Sequence, residues 1–361
     1  MHLSNNKVMS KGHLLLFSIL ILICSCRKND GVSPEPQSNV DVYLAGWENL
    51  PNGSSAVATY WKNGKAVHLT DGTEWAEAHG IAVSGNDVYV VGDVVKKTEP
   101  FNVATCWKNG VIMPFEYGTT WGEANSVVIS GNDVYIAGTV PSFTYGNWDG
   151  TTAVYWKNGM QVNLTDDGVG SSGAAIAVSG SDVYVAGKKF NKHYDGAAFW
   201  KNDEVTMIPE DLVDTAGGSL ATAIATSGSD VFVTSGNGVK TMFWKNGVPV
   251  PLYFSGSHDM LPTGIAISGN DVYVSGYSND GLSSKAIYWK NGSPVLLTSP
   301  HAYGGELFAI AVSGEDVYAA GRVFYPGSNP AVVKLWKNGI PVMTIDSTSA
   351  AYVKAMVVVR K

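Results

Sequence analysis

The sequence predicts an all-β fold, a seven-bladed β-propeller whose blades are four-stranded antiparallel sheets. Three observations predict it: a long internal repeat, segments of strand length within each repeat, and tight-turn residues between those segments. The motif Trp-Lys-Asn-Gly, with one Asp-for-Gly variant, occurs seven times at intervals of 44 to 49 residues. The copies begin at Trp61, Trp107, Trp156, Trp200, Trp244, Trp289 and Trp336.

Each repeat contains four segments of strand type. In the copy from Ile81 to Phe115 they read IAVSG, NDVYVVG, ATCWKNG and VIMPF, with a variable stretch between the second and the third. The segments are rich in Val, Ile, Tyr and Trp and are bounded by Gly, Asn or Asp, as strands commonly are. None is long enough for a helix with apolar residues spaced by three and four.

Two short patterns predict the hairpins. Asn-Gly suits both central positions of a type I′ turn, whose twist matches that of the flanking strands. Ser-Gly-Asn-Asp, as in Ser84–Asp87, joins the first two segments and supplies a glycine and an Asx side chain for the turn. Both hairpins emerge on one face of the predicted ring, so the longer and more variable connections lie on the opposite face.

The two ends of the chain predict how the ring closes. The Ser-Gly segment occurs six times in full, starting at Ile81, Val127, Ile176, Ile224, Ile265 and Ile310. The first repeat begins at Asp41 without this segment, whereas the chain ends with a related apolar one, Ala355–Val359. We therefore predict that the C-terminal strand completes the N-terminal blade and leaves no open sheet edge. The predicted propeller covers residues 41–361.

The N-terminus predicts export. Lys7 and Lys11 precede a ten-residue apolar run, Leu14–Ile23, which is too short for a stable transmembrane anchor. Residues 1–25, with Ser25 before Cys26, resemble a bacterial lipoprotein signal, which implies lipidation at Cys26. The polar, Pro-containing residues 26–40 are interpreted as a flexible tether. The predicted location is the bacterial cell envelope, at the outer membrane or cell surface; ordinary secretion and an uncleaved anchor are the alternatives.

Charge and cysteine content exclude several classes of function. Without residues 1–25 the chain keeps 22 basic and 31 acidic residues, a net charge of −9, which argues against nucleic acid or anionic membrane surfaces as partners. The propeller contains one cysteine, Cys106, in a column that is otherwise aromatic or, at Leu335, aliphatic, so we interpret it as an apolar filler. An internal disulfide and a cysteine metal site are therefore excluded, and no cofactor is predicted.

Residues that recur in every repeat are interpreted as structural. We expect the seven Trp of the motif to pack between blades, the alternative being a ring of sugar-stacking Trp. The recurring Asp of Asp-Val-Tyr and the Lys of the motif are expected to pair or to cap turns at the hairpins. One carboxylate per turn is too few for a ring of calcium sites.

Candidate ligand-binding residues are those that the repeat does not require. Four further tryptophans, Trp47, Trp75, Trp121 and Trp148, are predicted in loops on the variable face, near one mouth of the central channel. The segments 73–79 (TEWAEAH) and 119–125 (TTWGEAN) resemble each other, and Glu306 falls in the same column as their glutamates. Carboxylates beside aromatic rings suit a sugar, although recent duplication of adjacent blades also explains the similarity. The candidate set is Trp75, Glu77, Trp121, Glu123, Trp148 and Tyr303.

The same face offers candidate acids and bases. If the protein is an enzyme, the predicted catalytic residues are Glu77, Glu123, Glu306, His79 and His301, acting in polysaccharide hydrolysis or elimination. No nucleophile elbow, phosphate-binding Gly loop or paired-His motif occurs in the sequence. Histidines at a loop surface without a catalytic role remain the alternative.

The repeat pattern, A-x-x-W-x-x-G followed by A-x-x-(V/I)-S-G, resembles bacterial extracellular-repeat proteins, including those with HAF repeats, from Asp41 to Val359. This resemblance implies an exported repeat protein and carries no catalytic residues. The leading hypothesis is a monomeric, non-catalytic binding module for a glycan or an envelope protein. A polysaccharide lyase or glycoside hydrolase is one alternative, and a structural assembly platform is another.

Overall fold

In a computed structural model of the chain, the residues described are 39–51, 53–97, 102–114, 121–144, 147–164, 170–190, 195–209, 219–236, 241–257, 259–297, 301–327, 331–345 and 350–361. Only the backbone is described for residues 143, 144, 147–149 and 195. The chain divides into two units, 1–38 and 39–361. The predicted signal and Cys26 lie outside the described residues.

The described residues form seven four-stranded antiparallel sheets. The inner strands, next to the axis, are β4 (Trp75–Ser84), β8 (Glu123–Ser130), β12 (Ser171–Ser179), β16 (Leu220–Ser227), β20 (Asp259–Ser268), β24 (Gly304–Ser313) and β28 (Ala351–Arg360). The second strands are β1 (Val40–Asn49), β5 (Asp87–Val95), β9 (Asp133–Thr144), β13 (Asp182–Phe190), β17 (Asp230–Gly236), β21 (Asp271–Asn279) and β25 (Asp316–Phe324).

The third strands are β2 (Ala56–Lys62), β6 (Asn102–Lys108), β10 (Asn147–Lys157), β14 (Asp195–Lys201), β18 (Thr241–Lys245), β22 (Ser284–Lys290) and β26 (Val332–Lys337). The outer strands are β3 (Lys65–His68), β7 (Val111–Met113), β11 (Met160–Asn163), β15 (Glu204–Met207), β19 (Val248–Pro251), β23 (Ser293–Leu296) and β27 (Ile340–Ile345). The seven-bladed propeller is therefore confirmed. No helix in the described ranges is long and apolar enough to cross a membrane.

The ring closes as predicted. Blade 1 has the strand order β28-β1-β2-β3, so the last strand of the chain pairs with the first. The pairing is antiparallel and places Asp41 opposite Val359. Blades 2 to 7 follow in chain order from β4 to β27. All strands of the ring lie within residues 39–361, so this segment holds the complete propeller.

The hairpin face carries the same group of side chains in every blade. In blade 2, Asn109 adopts a left-handed φ of 53° in the predicted type I′ turn. Its amide donates to Asp87 Oδ1 over 2.8 Å and its Oδ1 accepts the Val88 N–H over 2.9 Å. Lys108 Nζ lies 2.6 Å from Asp87 Oδ2 and 5.0 Å from the centre of the Tyr89 ring. We call this set of Asp, aromatic, Lys and Asn the hairpin clasp.

The clasp recurs in all seven blades, so the structural interpretation of the recurring Asp and Lys is confirmed. Its Lys–Asp distances lie between 2.6 and 3.2 Å. The Lys ammonium always lies 5.0 to 5.8 Å from the centre of the blade's aromatic ring, which is Phe232 in blade 5 and Tyr in the others.

The core lies between neighbouring blades. All seven motif tryptophans are buried, with exposures of 2% or less, so they contribute to blade packing as predicted. The alternative ring of sugar-stacking Trp is excluded because these indoles do not reach solvent. Cys106 is 1% exposed, and burial raises the pKa of its thiol to about 12, which fits its interpretation as an apolar filler.

Every inner strand contains a β-bulge, at which one residue of the inner strand has no pairing partner on the second strand. The bulge residues are His79, Asn125, Ala174, Thr222, Thr263, Phe308 and Lys354. They line a central channel with a volume of about 340 Å³. The bulge also explains the glycine that ends Asp-Val-Tyr-x-x-Gly: a Cβ on Gly92 would lie 1.9 Å from the Glu77 carbonyl oxygen.

Candidate functional site

The strands continue past the bulge to the mouth of the channel. There the inner strands present Tyr352, Glu77, Glu123, Ser172, Leu220, Leu261 and Glu306. Directly opposite them, the second strands present Trp47, Asp93, Thr139, Lys188, Gly236, Tyr277 and Arg322. Together with the bulge residues these are the mouth positions. Unlike the clasp, they change from blade to blade.

The prediction that the four additional tryptophans lie in loops is wrong for three of them. Trp47 lies in β1, Trp75 begins β4 and Trp148 lies in β10. The physical reason is that a shift of register does not end the hydrogen-bonded ladder, so each strand extends further than its apolar segment. Trp47 and Trp75 lie beyond the inner-strand bulges of their blades, and Trp148 lies beside a separate shift between β9 and β10. Trp121 forms an isolated antiparallel bridge with Val103. The side chain of Trp148 lies outside the described part of the structure.

The structure brings two predicted residues, Glu77 and His79, together with one that the sequence analysis missed, Asp93. His79 Nε2 lies 3.3 Å from Asp93 Oδ1 and 3.6 Å from Glu77 Oε2. The Trp75 indole N–H donates to Glu77 Oε1 over 2.8 Å. The Asp93 side chain is 7% exposed, and its buried Oδ1 accepts no hydrogen bond from any described residue. We call Glu77, His79, Asp93 and Glu123 the acidic sector.

The pKa values in the acidic sector show that its charges interact. Burial raises the pKa of Asp93 to about 6; His79 opposes this rise, whereas the charges of Glu123 and Glu77 add to it. Burial acts to lower the pKa of His79, but the neighbouring carboxylates of Glu77 and Asp93 outweigh it and raise the pKa. Burial acts to raise the pKa of Glu77, but the hydrogen bonds from His79 and Trp75 outweigh it, so the pKa of Glu77 is lowered overall.

A second group, the aromatic sector, lies at the mouth of blades 7 and 1. The rings of Trp47 and Tyr352 stack with their centres 4.9 Å apart and their planes 10° apart. The Arg322 guanidinium lies 5.3 Å from the centre of the Tyr352 ring and donates to Glu306 Oε2 over 2.7 Å. Glu306 is therefore held in an ion pair. Lys354 Nζ lies 5.8 Å from the Trp47 ring, between the two sectors.

Tyr303 and His301 belong to neither sector, although Tyr303 reaches the aromatic sector through Phe324, whose ring centre lies 5.4 Å from the Arg322 guanidinium. Tyr303 is 56% exposed and its ring lies 6.1 Å from that of Phe324. It borders a small cavity of about 150 Å³ between blades 6 and 7. His301 occupies an exposed turn with a left-handed φ of 62°. No contact among the described residues joins His301 to Glu77, Glu123 or Glu306.

A further cavity is lined by residues just before β4 and at the end of β5. It has a volume of about 670 Å³ and lies between blades 1 and 2, where Leu69, Glu74, Val94 and Val103 form part of its wall. Glu74 precedes Trp75 in the chain, and Val103 is the bridge partner of Trp121. The two similar tryptophan segments therefore flank this groove. Within the described ranges, no three His, Cys, Asp or Glu side chains are placed to share a metal ion.

The sequence contained a signal for the residues that its analysis missed. Asp93 follows the glycine of the second strand in the otherwise apolar run VVGDVV. A charged residue within a strand that is apolar elsewhere indicates a special position. Arg322 and Trp47 follow the corresponding glycines of blades 7 and 1. Asp93, Arg322 and Trp47 therefore occupy the same position in their blades, and this position lies at the mouth because the strands continue past the bulge.

No protein-family model matches the chain, and no curated protein matches it. The resemblance to extracellular-repeat proteins therefore stays a prediction. Among solved structures, an acylaminoacyl peptidase from Pyrococcus horikoshii is similar with a TM-score of 0.52 at 13% identity, over 86% of this chain and 51% of that chain. A prolyl endopeptidase structure has a TM-score of 0.51 at 13% identity, over 87% of this chain and 49% of that chain.

TolB from Acinetobacter baumannii has a TM-score of 0.48 at 10% identity, covering 88% of this chain and 67% of that chain. The chain spans about half the length of the two peptidase chains. Identities this low show the propeller fold alone and carry no activity or partner across. The fold fits a binding or scaffold module.

Proposed function

We propose that this protein is a binding module that holds a glycan at the channel mouth, across blades 7, 1, 2 and 3. The observation that carries the proposal is the distribution of variation around the ring. The four clasp residues recur in every blade, whereas the mouth positions include seven different residues on the second strands alone. A purely structural platform has no need for such divergence on one face.

The chemistry of the mouth favours a glycan over an apolar ligand. Sugars offer flat C–H faces that pack on aromatic rings and hydroxyls that donate to carboxylates. The mouth provides the Trp47–Tyr352 stack and the indole of Trp75, which is 38% exposed. It also provides carboxylate acceptors at Glu77, Glu123 and Glu306. The groove between blades 1 and 2 gives a chain of several sugar units room to extend.

The experiment is a glycan-array screen of residues 39–361, which contain the complete ring. We expect saturable binding that is lost when Trp75→Ala and Trp121→Ala are combined. Tyr253→Ala is the matched control, because Tyr253 is 69% exposed and lies between blades 5 and 6, away from both sectors. Equal binding by the double variant would place the ligand elsewhere, and no binding to any glycan would overturn the proposal.

We also propose that the module is attached to the bacterial envelope by a lipid on Cys26, as a monomer. The support is the similarity of residues 1–26 to a lipoprotein signal. Metabolic labelling of the full chain with a fatty-acid analogue tests it. Label should be incorporated into the wild type and lost in Cys26→Ser, while Cys24→Ser serves as the control. Label that persists in Cys26→Ser would contradict this attachment site.

One observation favours a polysaccharide-active enzyme as the second candidate. The pKa of Asp93, raised to about 6 by burial, suits a general acid at neutral pH. Glu306, which Arg322 holds, is less suited to that role. Product analysis of each glycan that binds distinguishes the two functions. New reducing ends or unsaturated ends that vanish in Asp93→Asn would establish catalysis, and intact glycan would leave a binding module.

A further inference from the structure

The acidic and aromatic sectors differ in how their charges are balanced. In the aromatic sector, the single carboxylate of Glu306 is matched by Arg322, with two guanidinium nitrogens 2.7 Å from the same oxygen. In the acidic sector, the His79 imidazole lies 3.6 Å from the Glu77 carboxylate and 3.3 Å from that of Asp93. The charge of a third carboxylate, that of Glu123, also acts on Asp93. The acidic sector therefore has fewer positive charges than carboxylates.

We propose that the acidic sector binds a primary ammonium group, so that the glycan held at this mouth contains amino sugars with free amines. This inference rests on the proposed function and names the class of glycan. An ammonium offers three N–H donors and a full positive charge. Both are matched to a site that presents carboxylate oxygens without enough donors.

Asp93 is the residue that most requires such a ligand. Its carboxylate is buried beside Glu77, directly opposite on the neighbouring strand. Its Oδ1 lies within ion-pair distance of His79 Nε2 but accepts no hydrogen bond from the described residues. A buried acceptor without a donor is costly. A ligand that brings donors into this sector would remove that cost.

The cations already near the mouth leave room for another. His79 directs Nε2 toward Glu77 and Asp93, so it neutralises one of the three carboxylates. Lys354 is exposed, and its ammonium lies over the Trp47 ring. Even when Lys354 is counted with His79, the three carboxylates exceed the cations by one charge. The charges of Glu77 and Glu123 both raise the pKa of Asp93, so the three carboxylates are close enough to repel one another.

An aromatic face completes the site. Trp75 is fixed by its hydrogen bond to Glu77 and leaves its indole partly exposed. A cation near a Trp face gains cation–π attraction in addition to the ion pair. Carboxylates beside a fixed indole therefore favour an ammonium over a hydroxyl at the same position.

The test compares three hexasaccharides that share β-1,4-linked glucose geometry: one with free amines, one with N-acetyl groups and one with hydroxyls only. Binding to residues 39–361 is measured by calorimetry at about pH 6.5, above the pKa of Asp93, which burial raises to about 6. We expect the free-amine oligomer to bind at least about tenfold more tightly than the other two, as one charge-assisted hydrogen bond provides.

Variants separate the site from general attraction of a cation to an acidic protein. Asp93→Asn and Glu123→Gln, made separately, should each remove most of the tenfold preference, measured as the ratio of the affinities for the free-amine and the hydroxyl oligomers. Glu315→Gln is the control, since it removes the same charge from an exposed residue on the hairpin face. Thermal unfolding of each variant checks that it is folded, and two independent variants protect the test if one is not.

The outcomes distinguish this inference from the function on which it rests. Equal affinity for all three oligomers would overturn the ammonium site and leave glycan binding in place. A free-amine preference that survives in both Asp93→Asn and Glu123→Gln would overturn it as well, because the preference would then come from overall charge. If no oligomer binds but other glycans on the array do, the inference fails and the proposed function stands. If no glycan binds at all, both fail.

Discussion

The hairpin face and the mouth face of this propeller are built by the same strands, yet they follow opposite rules. On the hairpin face, Asp, Lys and Asn recur in every blade in one geometry. On the mouth face, the corresponding strand ends differ in nearly every blade. The bulge marks the division: the second-strand position of Gly92, just below it, is Gly in six blades and Ser235 in blade 5, whereas the bulge residues and those above them vary. The comparison indicates that the recurring residues hold the blades in one geometry, which leaves the mouth positions free to vary from blade to blade.

The largest effect expected separates the buried tryptophans from those at the mouth. Trp107 is fully buried between blades, so Trp107→Ala should lower the free energy of unfolding by about 3–5 kcal/mol. Trp75 is 38% exposed, and Trp75→Ala should change it by about 0.5 kcal/mol or less. Urea unfolding followed by circular dichroism measures both. Similar losses in the two variants would contradict the division into framework and mouth.

Burial of a carboxylate at the mouth predicts a pH-dependent effect of intermediate size. Burial raises the pKa of Asp93 to about 6, above the value of about 4 in an unfolded chain. The folded protein therefore holds this proton more tightly, so the stability that the protonated group contributes is present below about pH 4 and lost as the pH rises through 6.

Asp93→Asn, which is neutral at every pH, should match the wild type near pH 4. At about pH 8 it should be more stable, by about 3 kcal/mol at most. Urea midpoints at the two pH values measure the difference. Stability curves that run parallel from pH 4 to 8 would show that the carboxylate carries no such burial cost. The site would then be no more strained than the clasp on the opposite face.

Within the clasp, Asn is expected to matter more than its charged neighbours. Asn109 holds a left-handed φ and makes two hydrogen bonds to β5. Asn109→Ala removes both bonds and places a residue that disfavours this φ in the turn, so we expect a loss of about 1–2 kcal/mol. Asn109→Gly restores the φ without the hydrogen bonds and should recover part of the loss. An Ala variant as stable as the wild type would contradict this account.

The two faces were also unequally predictable from the sequence. The repeat, the turn residues and the closing strand are local or periodic signals, so blade number and strand order followed directly from them. Trp47 and Trp75 were expected in loops because the bulge interrupts the sequence pattern without interrupting the strand. Asp93 was missed because its role depends on contacts with Glu77 and His79, which lie on the neighbouring strand β4. Contacts of that kind depend on register, which a one-residue bulge changes.

The smallest effect concerns the charged pair that recurs most often. Lys108 and Asp87 are both well exposed, and exposed ion pairs contribute little because water and salt screen them. Lys108→Met should therefore leave the urea midpoint at neutral pH unchanged, and added salt should not alter the wild type. Recurrence in seven blades does not by itself indicate a large energy. Lys108 and Asn109 lower the pKa of Asp87, so any contribution is present at neutral pH and lost as the pH falls below about 4. A clear loss in Lys108→Met would mean that the clasp acts through its charge, and that the hairpin face, like the mouth, depends on electrostatics.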